Sequence, residues 1–220
     1  MSVFKDITKR TQAENKLREN REKLRSLFDY NPDAVFASDE DGKFTSVNEA
    51  SEKISGYSRD ELLKMSFSDL IVDQEIKKVW KHYKKALQGE NQDFETHIID
   101  KYGNQKHLNL KVFPMKVKGE IVGVYGIAKD ITEKKKMMNK IKFLAHHDTL
   151  TGLPNRYSIK ENLKDKIKNN QNKFALLFVD LDRFKMINDS FGHKTGDQII
   201  KIMSERLKEC ISPNGILGRL

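Results

Sequence analysis

Two carboxylates one residue apart, Asp180 and Asp182, come directly after an unbroken apolar run from Phe174 to Val179. That run has the length and the branched and aromatic make-up of a strand buried on both faces. Side chains alternate along a strand, so both carboxylates can leave its end on the same side. Such a pair is a hard-oxygen site, and magnesium needs only one or two carboxylates beside the phosphate oxygens of a substrate. The plainer alternative is that the two acids cap the strand and open the next helix. The neighbouring residues favour the metal reading: Phe184, Lys185, Ile187, Asn188 and Asp189, then Gly192, His193, Gly196 and Asp197, supply a cation, an amide and further acids in close order.

Flanking elements must hold these groups in place. A turn at Gly152 and Pro154 leads into an amphipathic helix from Tyr157 to Lys168, with Ile159, Leu163 and Ile167 on its apolar face. A second helix, Gln198 to Cys210, is expected to bury Ile199, Ile200, Met203, Leu207 and Ile211, with Asp197 as its N-cap. His146, His147 and Asp148 have the composition of a metal cluster, but adjacent residues point apart, so the two imidazoles do not easily share one ion. Cys210, the single cysteine, excludes an internal disulfide and reads as core from its helical spacing.

Upstream, Lys5-Asp6-Ile7-Thr8 recurs as Lys129-Asp130-Ile131-Thr132, and each copy runs into a charged helical stretch. Ala13, Leu17, Leu24 and Leu27 keep a three-and-four rhythm in the first, with Asn20 in the seam; Met137, Ile141 and Leu144 do so in the second. Thr8 and Thr132 are natural N-caps. Between the copies, Ala34 to Ser38 and Phe44 to Asn48 read as a hairpin around Asp39 to Lys43. Ser58 and Glu61 form a capping box, and Ile76, Val79, Trp80, Tyr83 and Leu87 mark a helix that ends at Gly89, with Trp80 as core. Three strands complete the pattern: Phe94, Thr96 and Ile98 alternate with polar residues, Leu108, Leu110 and Val112 alternate again after a turn at Lys101 to Asn104, and Ile121 to Ala128 forms the last. His82, His97 and His107 read as solvated histidines rather than haem ligands, the strand pair lying on the polar phase.

With 220 residues, 37% hydrophobic and 33% charged, the chain fits one or two globular domains. No apolar run approaches the ~18 to 20 residues of a membrane helix, and the first residues lack a secretory apolar stretch. A cytoplasmic location is expected, with room for an anchor upstream. The net charge of +9 comes from lysines that alternate with acids and amides along helices. That pattern describes solvated faces rather than a nucleic-acid stripe, so no nucleic-acid partner is expected.

Read whole, DLDRFKMINDSFGHKTGD from Asp180 to Asp197 resembles the metal and nucleotide segment of the GGDEF family of diguanylate cyclases. His147-Asp148-Thr149-Leu150-Thr151-Gly152-Leu153-Pro154-Asn155-Arg156 looks like an upstream segment of the same family. The order of elements before it, with Asn31-Pro32-Asp33-Ala34, Asp41-Gly42, Val47-Asn48, Gly56-Tyr57-Ser58 and Asp130-Ile131-Thr132, resembles a PAS sensory domain.

Together the resemblances imply an α+β, multidomain chain. The tail of a preceding PAS domain occupies 1–8, a connecting helix 9–28, and a PAS-fold antiparallel sheet with flanking helices 22–132. A signalling helix spans 133–146. Residues 147–220 are the N-terminal half of a GGDEF domain, palm-like with ferredoxin-like βαββαβ order, ending before the hairpin that names the family. The implied reaction joins two GTP, each 3'-hydroxyl attacking the other's α-phosphate across a homodimer, to give cyclic di-GMP and pyrophosphate. The dimer forms through the PAS domain, the connecting helices and the cyclase domain.

By the family pattern Asp180 ligates Mg2+ together with the Leu181 carbonyl. Lys185 is catalytic and meets the phosphates, and Phe184, Lys185, Asn188 and Asp197 bind substrate. Asn188 and Asp197 match the guanine readers, a carboxylate accepting from N1–H and the exocyclic amine. Ser212, Pro213, Asn214 and Gly215 stand where many members carry an Arg-x-x-Asp product-inhibition site, which implies an enzyme without that brake. PAS domains bind haem, flavin, small metabolites or nothing; the flavin-adduct subclass needs a cysteine inside the domain, and Cys210 lies outside. The expectation is a sensory diguanylate cyclase of which this chain alone is inactive. The alternatives are a degenerate GTP-binding domain that regulates a phosphodiesterase or other partner, and a PAS signalling module without catalysis.

Overall fold

The computed structural model describes residues 8–168, 175–212 and 215–220, and the chain divides into two units between Lys135 and Lys136. The first copy of the repeat, except Thr8, lies outside the described residues, as do Phe174, Pro213 and Asn214.

Helix α1 (Thr8–Asp29) precedes a five-stranded antiparallel sheet of order β2-β1-β5-β4-β3. Strands β1 (Ala34–Ser38) and β2 (Phe44–Val47) form the expected hairpin. Its turn is held by Asp39 Oδ1, which accepts from the Asp41 and Lys43 N–H groups, as short acidic side chains do in turns. Gly42 sits at φ +84°, and an added Cβ would strike the Phe67 ring, so the turn requires glycine on both counts. Asn48 is buried: its Oδ1 accepts from Val35 N and Ser51 N, and its Nδ2 donates to Phe28 O and Asp33 O. One side chain thus ties the end of α1, the start of β1 and the N-terminus of α2 (Glu49–Ser55).

The Ser58–Glu61 capping box forms as expected and opens α3 (Arg59–Leu62). Two short 3-10 turns, Phe67–Asp69 and Asp73–Glu75, lead to α4 (Ile76–Leu87). These helices cover one face of the sheet completed by β3 (Gln92–Ile99), β4 (Gln105–Val117) and β5 (Glu120–Asp130). Alternation decides which side chains face them: Phe94, Thr96, Ile98, Leu108, Leu110 and Val112 are buried, while Glu95, His97, His107 and Asn109 take the other face. Val47, Leu62 and Val124 are the largest fully buried apolar side chains, each worth about 1.5–3 kcal/mol. Trp80 packs at the core's edge with Phe67 and Tyr83, ring centroids 4.7–5.4 Å apart.

Two expectations for this unit are corrected. Thr132 opens α5 (Thr132–His146) but does not cap it: its Oγ1 accepts from His107 N–H, and Asp130 Oδ1 accepts from Thr132 N–H instead. Thr132 is already the first helical residue, so its hydroxyl lies past the cap position and turns to β4 instead. Nor are the three histidines simply solvated. His82 stacks on Phe94 at 4.1 Å and bonds Gln92, and His97 and His107 face each other with carboxylate partners.

The second unit holds α6 (Arg156–Lys168), α7 (Phe184–Phe191) and α8 (His193–Cys210). The strand expected up to Val179 does not form over 175–179, where Leu177 and Phe178 are about three-quarters exposed. A strand needs neighbours for its N–H and C=O groups, and no strand is present among the described residues after Lys136, only an isolated His147–Pro154 bridge. The strands of a βαββαβ unit are therefore absent from the described residues. Cys210, read as core, is exposed at the last position of α8, where no described residue covers it.

Candidate functional site

Asp180 and Asp182 stand exposed in the irregular segment that leads to α7. Asp180 Oδ1 accepts from Leu181 N–H at 2.9 Å, and the Leu181 carbonyl accepts from Phe184 N–H at 3.2 Å. Each oxygen keeps lone pairs to spare, since a carbonyl offers two and a carboxylate about four. The chain enters α7 through Arg183 in the left-handed region at φ +58°. Among the described residues no three His, Cys, Asp or Glu side chains gather as a metal cluster. A carboxylate and a carbonyl nonetheless fit Mg2+, which binds hard oxygens and keeps most of its shell as water and phosphate oxygen.

Phe184 and Asn188 lie four residues apart, hence on one face of α7. Gly192 ends the helix by donating its N–H to Asn188 O at 2.9 Å, and its φ of +79° turns the chain into α8. That reversal lays buried Gly196 of α8 on the Asn188 side chain. An added Cβ at Gly196 would overlap Asn188 Oδ1 and come within 3.1 Å of the Phe184 ring. Only glycine lets the two helices approach so closely. Among the described residues Asn188 Oδ1 is buried without a hydrogen-bond partner, a state that costs about 1–3 kcal/mol.

Of the expected site residues, the structure brings Phe184 and Asn188 together at Gly196, with Asp197 one residue further along α8. Lys185 and Asp197 are exposed. Asp180 and Leu181 join this group only through the Leu181–Phe184 backbone bond. Asp197 is not the N-cap of its helix, because α8 begins at His193, right after Gly192. The turn at Gly192 ends α7 and opens α8 at once, ahead of the expected start.

The segment from His146 to Arg156 forms a closed turn. Asp148 accepts from Thr151 N, Thr151 Oγ1 and the Arg219 guanidinium. Burial alone would raise its carboxyl, but the bonds from Thr151 and Arg219 outweigh it and hold the group below its usual range. Asn155 Oδ1 accepts from Ser158 N and starts α6, and Ser158 Oγ donates to His146 O. His146 Nδ1 pairs with Ser158 Oγ, and His147 Nδ1 pairs with Gly152 O, so the two imidazoles serve separate partners. The Asp148–Arg219 pair was invisible to sequence reasoning: opposite charges 71 positions apart carry no local signal.

The first unit encloses an apolar cavity of about 70 Å³ between sheet and helices, lined by Phe36, Ile54, Leu62, Ile71, Tyr83 and Leu110 among others. Ordinary small-molecule sites hold roughly 300–1,000 Å³. The cavity lies well below that range. At its edge Tyr83 Oη bonds Ser38 Oγ and the Asp39 carbonyl, and burial pushes the phenol up to about 12.

Comparison with known proteins matches residues 28–136 to the PAS fold family and 145–220 to the GGDEF diguanylate cyclase domain. Signaling protein YkoW of Bacillus subtilis is 32% identical over 213 residues, covering 93% of this chain and 25% of that protein. The "Probable diguanylate cyclase DgcE" of Escherichia coli is 28% identical over 232 residues, covering all of this chain and 20% of that protein. The chain thus spans a quarter or less of these relatives. Among solved structures, the PAS domain of a Colwellia psychrerythraea protein is 25% identical, with a TM-score of 0.49 over 52% of this chain and 98% of that one.

Proposed function

We propose that this chain, which joins a PAS domain to a GGDEF-family segment, belongs to a sensor enzyme that condenses two GTP into cyclic di-GMP. The observation that carries the reading is the α7–α8 clasp, in which Asn188, its Oδ1 without a partner among the described residues, packs on Gly196, the residue before Asp197 in the sequence. Guanine presents N1–H and an exocyclic amine side by side beside the O6 acceptor. The Asp197 carboxylate would accept the first two, and the Asn188 amide would complete the set. Adenine would leave that carboxylate facing a ring acceptor, an arrangement that rejects it by about 10⁴-fold.

Lys185, exposed on α7, would meet the phosphates and stabilise charge on the departing pyrophosphate. Phe184, on the same face of α7 as Asn188, also lies against Gly196. Asp180 and the Leu181 carbonyl would hold Mg2+, which when bound neutralises the phosphates and polarises the attacked phosphorus. Reaction between two bound GTP requires two subunits face to face. The apolar seams of α1 and α5, with Leu17, Leu24, Met137 and Ile141 exposed, are suited to pairing such copies.

The test is an assay of the complete protein containing this chain, with GTP and Mg2+, for cyclic di-GMP. Wild-type product formation that an Asp180→Ala variant abolishes supports the enzyme. GTP binding without product would establish instead a nucleotide-binding regulator. Equal use of ATP would overturn the roles given to Asn188 and Asp197.

A further inference from the structure

On the outer face of the PAS sheet two histidines oppose each other in register, His97 on β3 and His107 on β4. Their ring centroids are 4.2 Å apart, tilted by 44°. Each has its own carboxylate: His97 Nδ1 lies 2.8 Å from Glu75 Oε1, and His107 Nε2 lies 2.9 Å from Glu95 Oε2. Glu95 Oε2 is shared, because Lys135 Nζ of α5 reaches it at 2.8 Å. That lysine's hydrogen bond is the foremost reason the Glu95 carboxyl lies below its usual range.

The backbone of His107 also anchors α5. Its N–H donates to Thr132 Oγ1, and its carbonyl accepts from Ile131 N–H. One strand position therefore carries an imidazole and holds the first turn of α5, which runs to His146. The other charges nearby are accounted for. Lys78 of α4 donates to Glu95 O, Asp130 at the end of β5 accepts from Thr132 N–H, Lys106 donates to Ile54 O, Asp93 of β3 pairs with Lys111 of β4, and Lys134 and Lys136 flank Lys135 on α5, with Glu133 one residue before them.

We infer that His97 and His107, with Glu75, Glu95 and Lys135, form a proton-sensing joint that sets how firmly the first turn of α5 is held to the sheet. Histidine is the side chain whose charge ordinarily changes between about pH 5 and 8. With neutral rings, each imidazole donates one N–H to its carboxylate, and Lys135 supplies the cation on Glu95. Protonation places two like charges 4.2 Å apart and brings a second cation onto the oxygen that Lys135 occupies. Lys135 is 42% exposed and has water as its alternative, so its contact is the one that yields. Falling pH then loosens α5 at its root. This device is independent of the cyclase reading, and its readout involves no nucleotide.

The experiment is amide hydrogen exchange on the 220-residue chain at pH 8 and pH 5.5, corrected for the intrinsic pH dependence of exchange. The expected result is a roughly tenfold loss of protection in the first turn of α5 at the lower pH, with the sheet core unchanged. A His97→Gln/His107→Gln variant should hold the pH 8 level at both values. Because that variant could fail to fold, Lys135→Gln on the exposed helix face provides a second arm, giving low protection at both values. Equal protection of the wild type at the two pH values overturns the inference. So does a pH response that persists in either variant.

Discussion

Replacing Glu75 with glutamine isolates one carboxylate that joins the turn before α4 to strand β3. Its oxygens accept from Thr96 Oγ1, from the His97 backbone N–H at 3.0 Å and from His97 Nδ1 at 2.8 Å. Burial works to raise this carboxyl, but the three hydrogen bonds prevail and bring it from 4.5 down to about 2. A carboxyl depressed in the folded state stabilises fully above its unfolded value, and that contribution is lost as pH falls through the folded value. The window is therefore about pH 4.5 down to about 2. The shift corresponds to about 3 kcal/mol, and solvent contact over a quarter of the side chain reduces this to roughly 2–3 kcal/mol. Thr96 is buried and cannot turn to water, so the loss is not recovered by relaxation.

Trp80, the single tryptophan, packs against Phe67 and reports the PAS unit selectively in urea titrations. Glu75→Gln should lower stability at pH 7 by about 2–3 kcal/mol and flatten the acid limb of the pH profile. A variant within about 0.5 kcal/mol of wild type at pH 7, with the same acid limb, refutes the assignment.

Gly196→Ala offers a test by sign. Helix propensity alone predicts a gain of about 0.5–1 kcal/mol, whereas the overlap with Asn188 Oδ1 predicts a loss of about 1–3 kcal/mol, read by circular dichroism of the 220-residue chain during unfolding. Tyr83→Phe removes bonds to Ser38 Oγ and the Asp39 carbonyl and should destabilise by about 1–2 kcal/mol in the Trp80 assay. Because the phenol is raised from 10.0 to about 12, its contribution is present below about pH 10 and lost as pH rises through about 12. An ultraviolet titration in which every tyrosine ionises together near pH 10 would contradict that placement.

Short-range pattern was enough for the strands and helix starts of the PAS unit. The alternation of Phe94, Thr96 and Ile98 against Leu108, Leu110 and Val112 names the buried face of β3 and β4 before any coordinates are known. The Ser58–Glu61 box names the start of α3, because both partners lie within one turn. For Asp180, Lys185, Asn188 and Asp197 the sequence supplies a family resemblance, and the proposed nucleotide site rests on it.

Long-range pairing belonged to the tertiary structure. His97 and His107 read as two separate polar-phase residues until strand register places their rings 4.2 Å apart beside Lys135. Asn188 and Gly196 meet only because Gly192 reverses the chain between two helices. The apolar run up to Val179 shows the converse: a sequence can carry every local mark of a buried strand, yet a strand exists only where other backbone is present to take its hydrogen bonds.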